Sequence, residues 1–166
     1  IGYRVSDETL DDSCYDMLAS EAALTNFLAI ATSDANVKLW SRLGRPIVAV
    51  NNRACLLSWS GSMFEYLMPL LVMHVPEGTL YRQTMALAVQ RQRTYAARKN
   101  IPWGISESAY AGRDRHFTYQ YSSFGVPGLG LKRGLANDLV VAPYATGLAA
   151  MLAPAQAIRN YRRLAA

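Results

Sequence analysis

Charged residues are scarce in this chain: they make up 17% of its 166 residues, whereas hydrophobic residues make up 51%. A typical soluble domain carries about a quarter charged residues, so we expect much of the surface to be hidden in a core or against further chain. Its two histidines, His74 and His116, are too isolated to suggest zinc, and its two cysteines, Cys14 and Cys55, lack metal-ligand spacing. We therefore predict two buried free thiols, which suit a reducing compartment, and neither a metal nor another cofactor.

Long apolar runs are also missing. No stretch of about 18 uninterrupted apolar residues occurs, so the sequence predicts no membrane span. A basic start followed by an apolar middle, the pattern of a signal peptide, is absent as well. The first residue is Ile1 rather than Met, and the sequence stops on an arginine-bearing, helix-like stretch. We expect this to be a piece of a longer protein.

Blocks of consecutive basic residues do not occur, although the net charge is +5. A net positive charge makes nucleic acid a candidate partner. The arginines, however, are scattered over two stretches of the chain: Arg82, Arg91, Arg93 and Arg98, then Arg159, Arg162 and Arg163. We therefore predict no nucleic-acid partner.

A long helix that is apolar on most of its faces is predicted over residues 9–32. At 100° per residue, its apolar side chains fall on one stripe: Leu10, Cys14, Met17, Leu18, Leu24 and Leu28. Glu21 would project from the middle of this stripe, an unexpected place for a carboxylate.

Further helices and one hairpin are marked by local signals. Asn51-Asn52 separates two apolar runs and predicts a β-hairpin over 46–59. The Ser62 to Glu65 spacing is that of a capping box, which opens a helix through residue 73 with a kink at Pro69. Thr79 can cap a third helix to about residue 99.

The last third of the chain divides into a loop region and two helices. Residues 101–134 are rich in glycine, serine and aromatics, which predicts loops with short strands. Prolines at the first helical turn predict helices over 143–152 and 154–164. Together, these elements predict an all-α fold with a short β-hairpin and long decorated loops.

Two carboxylates, Glu21 and Glu107, are candidates for glycosidic bond cleavage. That chemistry needs two carboxyl groups, one to protonate the leaving oxygen and one to attack the sugar or activate water. Apolar burial, predicted for Glu21, favours the protonated acid; alternatively Glu21 is a buried partner of Arg45 or Arg113.

Glu107 lies between Trp103 and Tyr110, whose aromatic faces suit stacking against sugar rings. Alternatively, Glu107 is a first-turn acid beside a serine cap, without catalytic meaning.

Other polar and aromatic residues have two interpretations each. Glu65 is explained by the capping box, with catalysis as its alternative, and Asp16, about 140° around the helix from Glu21, either binds a sugar hydroxyl or faces outward in a salt bridge. Trp59, Tyr119 and Tyr121 are either sugar platforms or core aromatics.

Several strings of this sequence occur in order and at consistent spacing in one known family. They are Tyr15-Asp16, Ser20-Glu21-Ala22, and the residues at 58–61, 63–69, 102–110, 119–121, 124–134 and 140–146. From about Asp12 onward, the chain resembles the glycoamylase-like domain of bacterial cyclic β-1,2-glucan synthases.

This resemblance implies a fold and a reaction. The fold is an (α/α) toroid of six helical hairpins, of which residues 1–166 would form a part. The reaction is a retaining transglycosylation that closes a linear β-1,2-glucan into a ring. Glu21 would be the nucleophile, and Glu107 the acid/base that reaches the glycosidic oxygen through a substrate hydroxyl. Seven further residues are assigned to substrate contacts: Asp16, Trp59, Glu65, Trp103, Tyr110, Tyr119 and Tyr121.

The implied partners are a β-1,2-glucan chain and the remaining domains of a larger membrane-bound synthase, on the cytoplasmic side of the bacterial inner membrane. A toroid needs several hundred residues, so we expect this piece to expose apolar helix faces and to be inactive alone. Two alternatives stay open. One is an endo-β-1,2-glucanase-type hydrolase, which inverts the anomeric configuration; the other is a non-catalytic glucan-binding segment.

Overall fold

Helices and short hairpins alternate along the computed structural model, which describes residues 3–10, 12 and 14–166. The strands are β1 (Tyr3–Arg4), β2 (Thr9–Leu10), β3 (Ile47–Val50), β4 (Arg53–Leu56), β5 (Ser108–Arg113) and β6 (Tyr119–Ser122). The α-helices are α1 (Ala22–Thr32), α2 (Lys38–Arg42), α3 (Met63–Leu67), α4 (Leu80–Arg98), α5 (Pro143–Ala150) and α6 (Pro154–Leu164).

The predicted all-α class, and with it the partial six-hairpin toroid, is wrong. The structure has 39% helix and 17% strand. Each strand pairs with its sequence neighbour in a two-stranded antiparallel sheet, β1 with β2, β3 with β4 and β5 with β6. Long connections carry backbone N–H and C=O groups that need partners, and here cross-strand pairing supplies them. The fold is mixed α/β.

The predicted hairpin around Asn51-Asn52 is confirmed. Both asparagines adopt positive φ, 49° and 59°, which is the conformation that a two-residue hairpin turn requires and that asparagine tolerates. Cys55 and Leu56 of β4 are buried, and burial raises the pKa of the Cys55 thiol to about 11. Cys14 is exposed, so the prediction of two buried thiols holds for Cys55 only.

The predicted helix over 9–32 is wrong in its first half. Residues 9 and 10 form β2, and α1 begins only at Ala22; Asp11 and Ser13 lie outside the described residues. The Leu18 N–H donates to the Gly44 carbonyl at 3.0 Å, and the Gly44 N–H donates to the Asp16 carbonyl at 2.7 Å. These long-range bonds hold residues 16–18 against residue 44, so that apolar periodicity does not produce a helix there.

The other helix starts follow the local signals. Ser62 accepts a hydrogen bond from the Phe64 N–H, and Glu65 completes the capping box of α3. The helix then continues as a 3₁₀ turn, Met68–Leu71, at the position of Pro69. Thr79 accepts from the Arg82 N–H at 3.1 Å and caps α4. The prolines at the starts of α5 and α6 are also confirmed.

The core surrounds α4. This helix packs against β4 and α3, α3 also contacts α5, and α5 packs against α6. Met85 and Ala88 of α4 and Tyr66 of α3 are fully buried. By contrast, α1 leaves Phe27 and Leu28 exposed at 45% and 48%. In the described part of the chain, no helix combines the length and hydropathy needed to cross a membrane.

Candidate active site

Glu21 lies at the start of α1, because the preceding residues bond to Gly44 and delay the helix. The helix N-terminus is a favourable place for a negative charge. At this end of the helix, the Ser20 hydroxyl accepts a hydrogen bond from the Ala22 N–H at 3.2 Å. The Glu21 side chain lines a groove of about 550 Å³ that follows α1, together with Tyr15, Ala22, Thr25, Asn26, Ala29 and Leu39.

One oxygen of Glu21, Oε2, is buried and has no hydrogen-bond partner among the described residues. The Tyr81 hydroxyl is in the same condition, and burial together with the charge of Glu21 raises the pKa of Tyr81. Leaving such atoms without partners costs about 1–3 kcal/mol each, so each of the two needs a physical explanation.

Glu107 directly precedes β5 and is held through its backbone. Its N–H donates to the Ser62 hydroxyl at 3.3 Å, and its carbonyl accepts from the Tyr144 hydroxyl at 2.7 Å. Burial first, and then the charge of Glu21, raise the pKa of the Glu107 carboxyl, while a hydrogen bond from the Tyr121 hydroxyl lowers it. The structure thus brings Glu21 and Glu107 into one electrostatic environment.

Two buried amides hold the segment that leads to Glu107. The Gln92 side chain of α4 donates to the Ile105 carbonyl at 2.7 Å and accepts from the Ile105 N–H at 2.9 Å. Asn160 of α6 likewise binds both backbone groups of Trp103, at 3.0 and 2.8 Å. Because side chains of α4 and α6 hydrogen-bond to the backbone of residues 103 and 105, the core fixes the position of Glu107.

Hydroxyl groups join α3, this segment and α5. The Ser62 and Ser106 hydroxyls lie 2.9 Å apart, and those of Ser106 and Tyr144 lie 2.8 Å apart. Because Ser62 also caps α3, the start of that helix and the start of β5 are fixed relative to one another.

Glu65 lies beside this cluster and is only 3% exposed. Its carboxylate accepts hydrogen bonds from Ser58, Ser60 and Ser62 and from the Tyr15 hydroxyl at 3.3 Å. The charge of Glu65 also raises the pKa of Glu107, as the weakest of the causes that raise it. A third carboxylate therefore belongs to the environment of the pair.

Of the predicted sugar platforms, Trp59 and Tyr121 lie at this site. The Trp59 ring stacks on that of Tyr15 at 6.4 Å with an interplanar angle of 26°, and the Tyr121 hydroxyl lowers the pKa of the Glu107 carboxyl. Their exposed fractions, 38% and 63%, leave ring surface open.

The remaining residues that were predicted to contact substrate lie elsewhere or contact other side chains. Tyr110 packs edge-on against Phe124, and the Tyr119 ring lies under the Arg113 guanidinium at 4.3 Å. Trp103 is 8% exposed and borders a separate cavity of about 250 Å³ between α4 and α6. The Asp16 side chain is exposed. No observation joins these four to the Glu21 and Glu107 pair, and their contact with substrate stays a prediction.

Sequence reasoning missed the roles of Tyr15, Ser106 and Tyr144. All three fall inside the matched strings, yet their contacts join residues 37–50 positions apart in the chain. Their only signal in the sequence was their presence in those strings. Among the described residues, no group of three or more His, Cys, Asp or Glu could hold a metal ion.

The arrangement provides two carboxyl groups in unequal surroundings. Glu21 lines the groove and has a buried oxygen without a partner among the described residues, whereas the pKa of Glu107 is raised by burial and by Glu21. Unequal environments are how carboxyl pairs divide the nucleophile and acid roles.

Comparison with known proteins gave two findings. The sequence model of a family named Glycoamylase, described as putative glucoamylase, matches residues 13–166. Cyclic beta-(1,2)-glucan synthase NdvB of Rhizobium meliloti (strain 1021) is 55% identical over 164 residues, which is 99% of this chain. The chain spans 6% of the length of that relative.

Proposed function

The chain belongs to the glycoamylase family, which confirms the resemblance drawn from its motifs, and from this premise we propose that it carries both catalytic carboxyl groups of a domain acting on β-1,2-glucan. The observation that carries the proposal is the Glu21 and Glu107 pair: the charge of one, after burial, raises the pKa of the other. The groove of about 550 Å³ beside Glu21 is of the size that a small-molecule or sugar site requires.

The reaction we propose is a retaining transglycosylation. In the first step, Glu21 attacks the anomeric carbon, the glycosidic bond breaks, and Glu107 supplies the proton of the leaving oxygen through a substrate hydroxyl, as in the family that the chain resembles. In the second step, a hydroxyl at the far end of the same glucan attacks that carbon, releases Glu21 and returns its proton to Glu107. The two inversions at the anomeric carbon give net retention, and the second step closes the ring.

The division of roles is supported by the surroundings of Glu107. An acid must hold its proton at the working pH, and a raised pKa achieves this. The Glu107 N–H donates to the Ser62 hydroxyl and the Glu107 carbonyl accepts from the Tyr144 hydroxyl, and these two bonds keep the residue in place.

The partners we propose are a β-1,2-glucan chain and the remaining parts of a larger membrane-bound synthase at the cytoplasmic face of the bacterial inner membrane. Residues 1–166 would be one piece of a single glycoamylase-like domain, inactive by itself. The exposed Phe27 and Leu28 on α1 suit coverage by further chain.

Product analysis tests the proposal. The complete natural protein that carries this chain is incubated with linear β-1,2-glucan, and products are followed by NMR from the first turnovers. We expect cyclic glucan without reducing ends, and loss of about 10³-fold or more in rate for Glu21→Gln and for Glu107→Gln.

Glu77→Gln is the matched control, because Glu77 lies on the surface in an ion pair with Arg82. It should keep wild-type activity. If the glucan is hydrolysed and the product has the inverted anomeric configuration, the hydrolase alternative is correct and transglycosylation is not. Glucan binding without turnover, unchanged in both variants, would indicate a non-catalytic binding segment.

A further inference from the structure

Glu65 is a buried carboxylate whose hydrogen bonds exceed what helix capping requires. Its Oε2 accepts from the hydroxyls of Ser58 and Ser60 at 2.8 and 2.6 Å, and from the N–H groups of Ser60 and Ser62 at 3.0 and 3.2 Å. The capping box accounts for the Ser62 bond alone, and glutamine fills that role equally well. The other contacts need a separate explanation.

All of these contacts use Glu65 as an acceptor, which is the pattern of an ionised carboxylate. No Lys, Arg or His nitrogen of the described residues lies within salt-bridge distance of it. A buried charge that is balanced by neutral donors alone is costly to keep. Its Oε2 accepts from the serines alone, whereas Oε1 accepts from the Ser60 N–H at 3.1 Å and from the Tyr15 hydroxyl at 3.3 Å.

Tyr15 connects this carboxylate to Glu21. Its ring stacks on Trp59 and also lines the groove beside Glu21. Its hydroxyl donates to Glu65 Oε1 at 3.3 Å, and burial, followed by the charges of Glu65 and Glu21, raises the pKa of Tyr15. The phenol therefore keeps its single proton and can donate it to one carboxylate at a time.

We propose that Glu65 is a positioning residue that acts through Tyr15: it holds the Tyr15 hydroxyl beside Glu21 and accepts its hydrogen bond whenever Glu21 is bonded to sugar. The inference rests on the proposed function, because it assigns Glu21 as the nucleophile. When Glu21 is a free carboxylate, the Tyr15 proton turns toward it and orients it. When Glu21 carries the sugar and loses its charge, the proton turns back to Glu65.

A double-mutant cycle on kcat tests this inference in the complete natural protein, with linear β-1,2-glucan as substrate. Tyr15→Phe and Glu65→Gln should each lower kcat about ten- to hundredfold, the range for a hydrogen bond to a charged group, with KM changed less than about twofold. In the Tyr15→Phe background, Glu65→Gln should cause little further loss, because the hydroxyl through which Glu65 acts on Glu21 has been removed.

The measurement separates positioning from a structural role. Unfolding midpoints in urea are recorded for all four proteins, and Tyr15→Phe should unfold at the wild-type midpoint, because Tyr15 is 44% exposed. Losses in kcat that multiply in the double variant would overturn the inference, as would wild-type kcat in Tyr15→Phe. If Glu65→Gln does not fold, the Tyr15→Phe result alone decides. A wild-type protein without action on β-1,2-glucan would instead overturn the proposed function.

Discussion

At the scale of single residues, the hydroxyl of Tyr121 adjusts the acid that we propose at Glu107. Burial and Glu21 raise the pKa of Glu107, and the Tyr121 hydrogen bond opposes them. An acid works while protonated, so activity falls as pH rises through its pKa. Tyr121→Phe removes the opposing contact, and the alkaline limb of the pH profile of kcat should move to higher pH.

Tyr119→Phe is the matched control for this prediction. Tyr119 belongs to the same strand, but its hydroxyl accepts from Arg113. It should leave the alkaline limb in place. A limb that moves to lower pH in Tyr121→Phe would mean that Glu107 does not set it.

Gln92 gives a second prediction at this scale, on stability. Gln92→Met fills a similar volume but leaves the buried Ile105 N–H without its partner and the Ile105 carbonyl with the Met63 N–H alone. An unpaired buried group of this kind costs about 1–3 kcal/mol, and we expect a loss of that size in unfolding free energy. Urea titration measures it. Gln90→Met, at an exposed position of α4, should change stability by less than about 0.5 kcal/mol; equal effects would contradict the role assigned to the Gln92 amide.

At the scale of elements, the turn over 125–130 lies directly on the segment that surrounds Glu65. A Cβ at Gly125 would lie 1.9 Å from the Ser60 carbonyl oxygen, and backbone cannot yield to it as a flexible side chain would. Gly125→Ala should lower the unfolding free energy by roughly 3 kcal/mol and reduce activity as well, because Ser60 is displaced from Glu65.

Gly147→Ala provides the contrast within the same chain. Its Cβ would meet only the Tyr161 hydroxyl, at 3.0 Å, and alanine is favoured over glycine inside a helix by up to about 1 kcal/mol. We expect an unchanged or higher unfolding free energy. If Gly125→Ala proves as harmless as Gly147→Ala, the close approach of the two segments is incorrect.

Elements were predictable from sequence where the signal is local. The Asn51-Asn52 turn, the capping box at Ser62 and the prolines of α5 and α6 act on their own neighbours, and all were confirmed. The helix over 9–32 failed because its first half bonds to Gly44, a partner that periodicity does not reveal. The same error placed Glu21 in mid-helix instead of at the helix start.

For the candidate site, the sequence indicated two carboxylates but not the residues that hold them. Glu21 and Glu107 were candidates from their sequence surroundings, and the strings shared with a family implied their roles, which stay a prediction. The bonds of Tyr15 to Glu65 and of Tyr144 to Glu107 join distant parts of the chain, and spacing along the sequence does not reveal them.

At the scale of the whole molecule, the open face of α1 predicts association. Phe27 and Leu28 are exposed at 45% and 48%, and apolar surface of this kind is normally covered. The 166-residue chain produced alone should associate at micromolar concentration in sedimentation velocity. Replacing both residues by glutamate should shift it toward monomer, whereas Val5→Glu, at a position 80% exposed outside α1, should not. A chain that is monomeric throughout would contradict coverage of this face.

The anomeric configuration of a rescued product tests the central claim most directly. In the Glu21→Ala variant of the complete natural protein, Glu107 remains to protonate the leaving oxygen, and azide can enter where the nucleophile is missing. With linear β-1,2-glucan, this variant should be inactive until azide is added and should then release the α-glycosyl azide, the product of a single inversion. A β-glycosyl azide, or full activity without azide, would contradict Glu21 as the nucleophile.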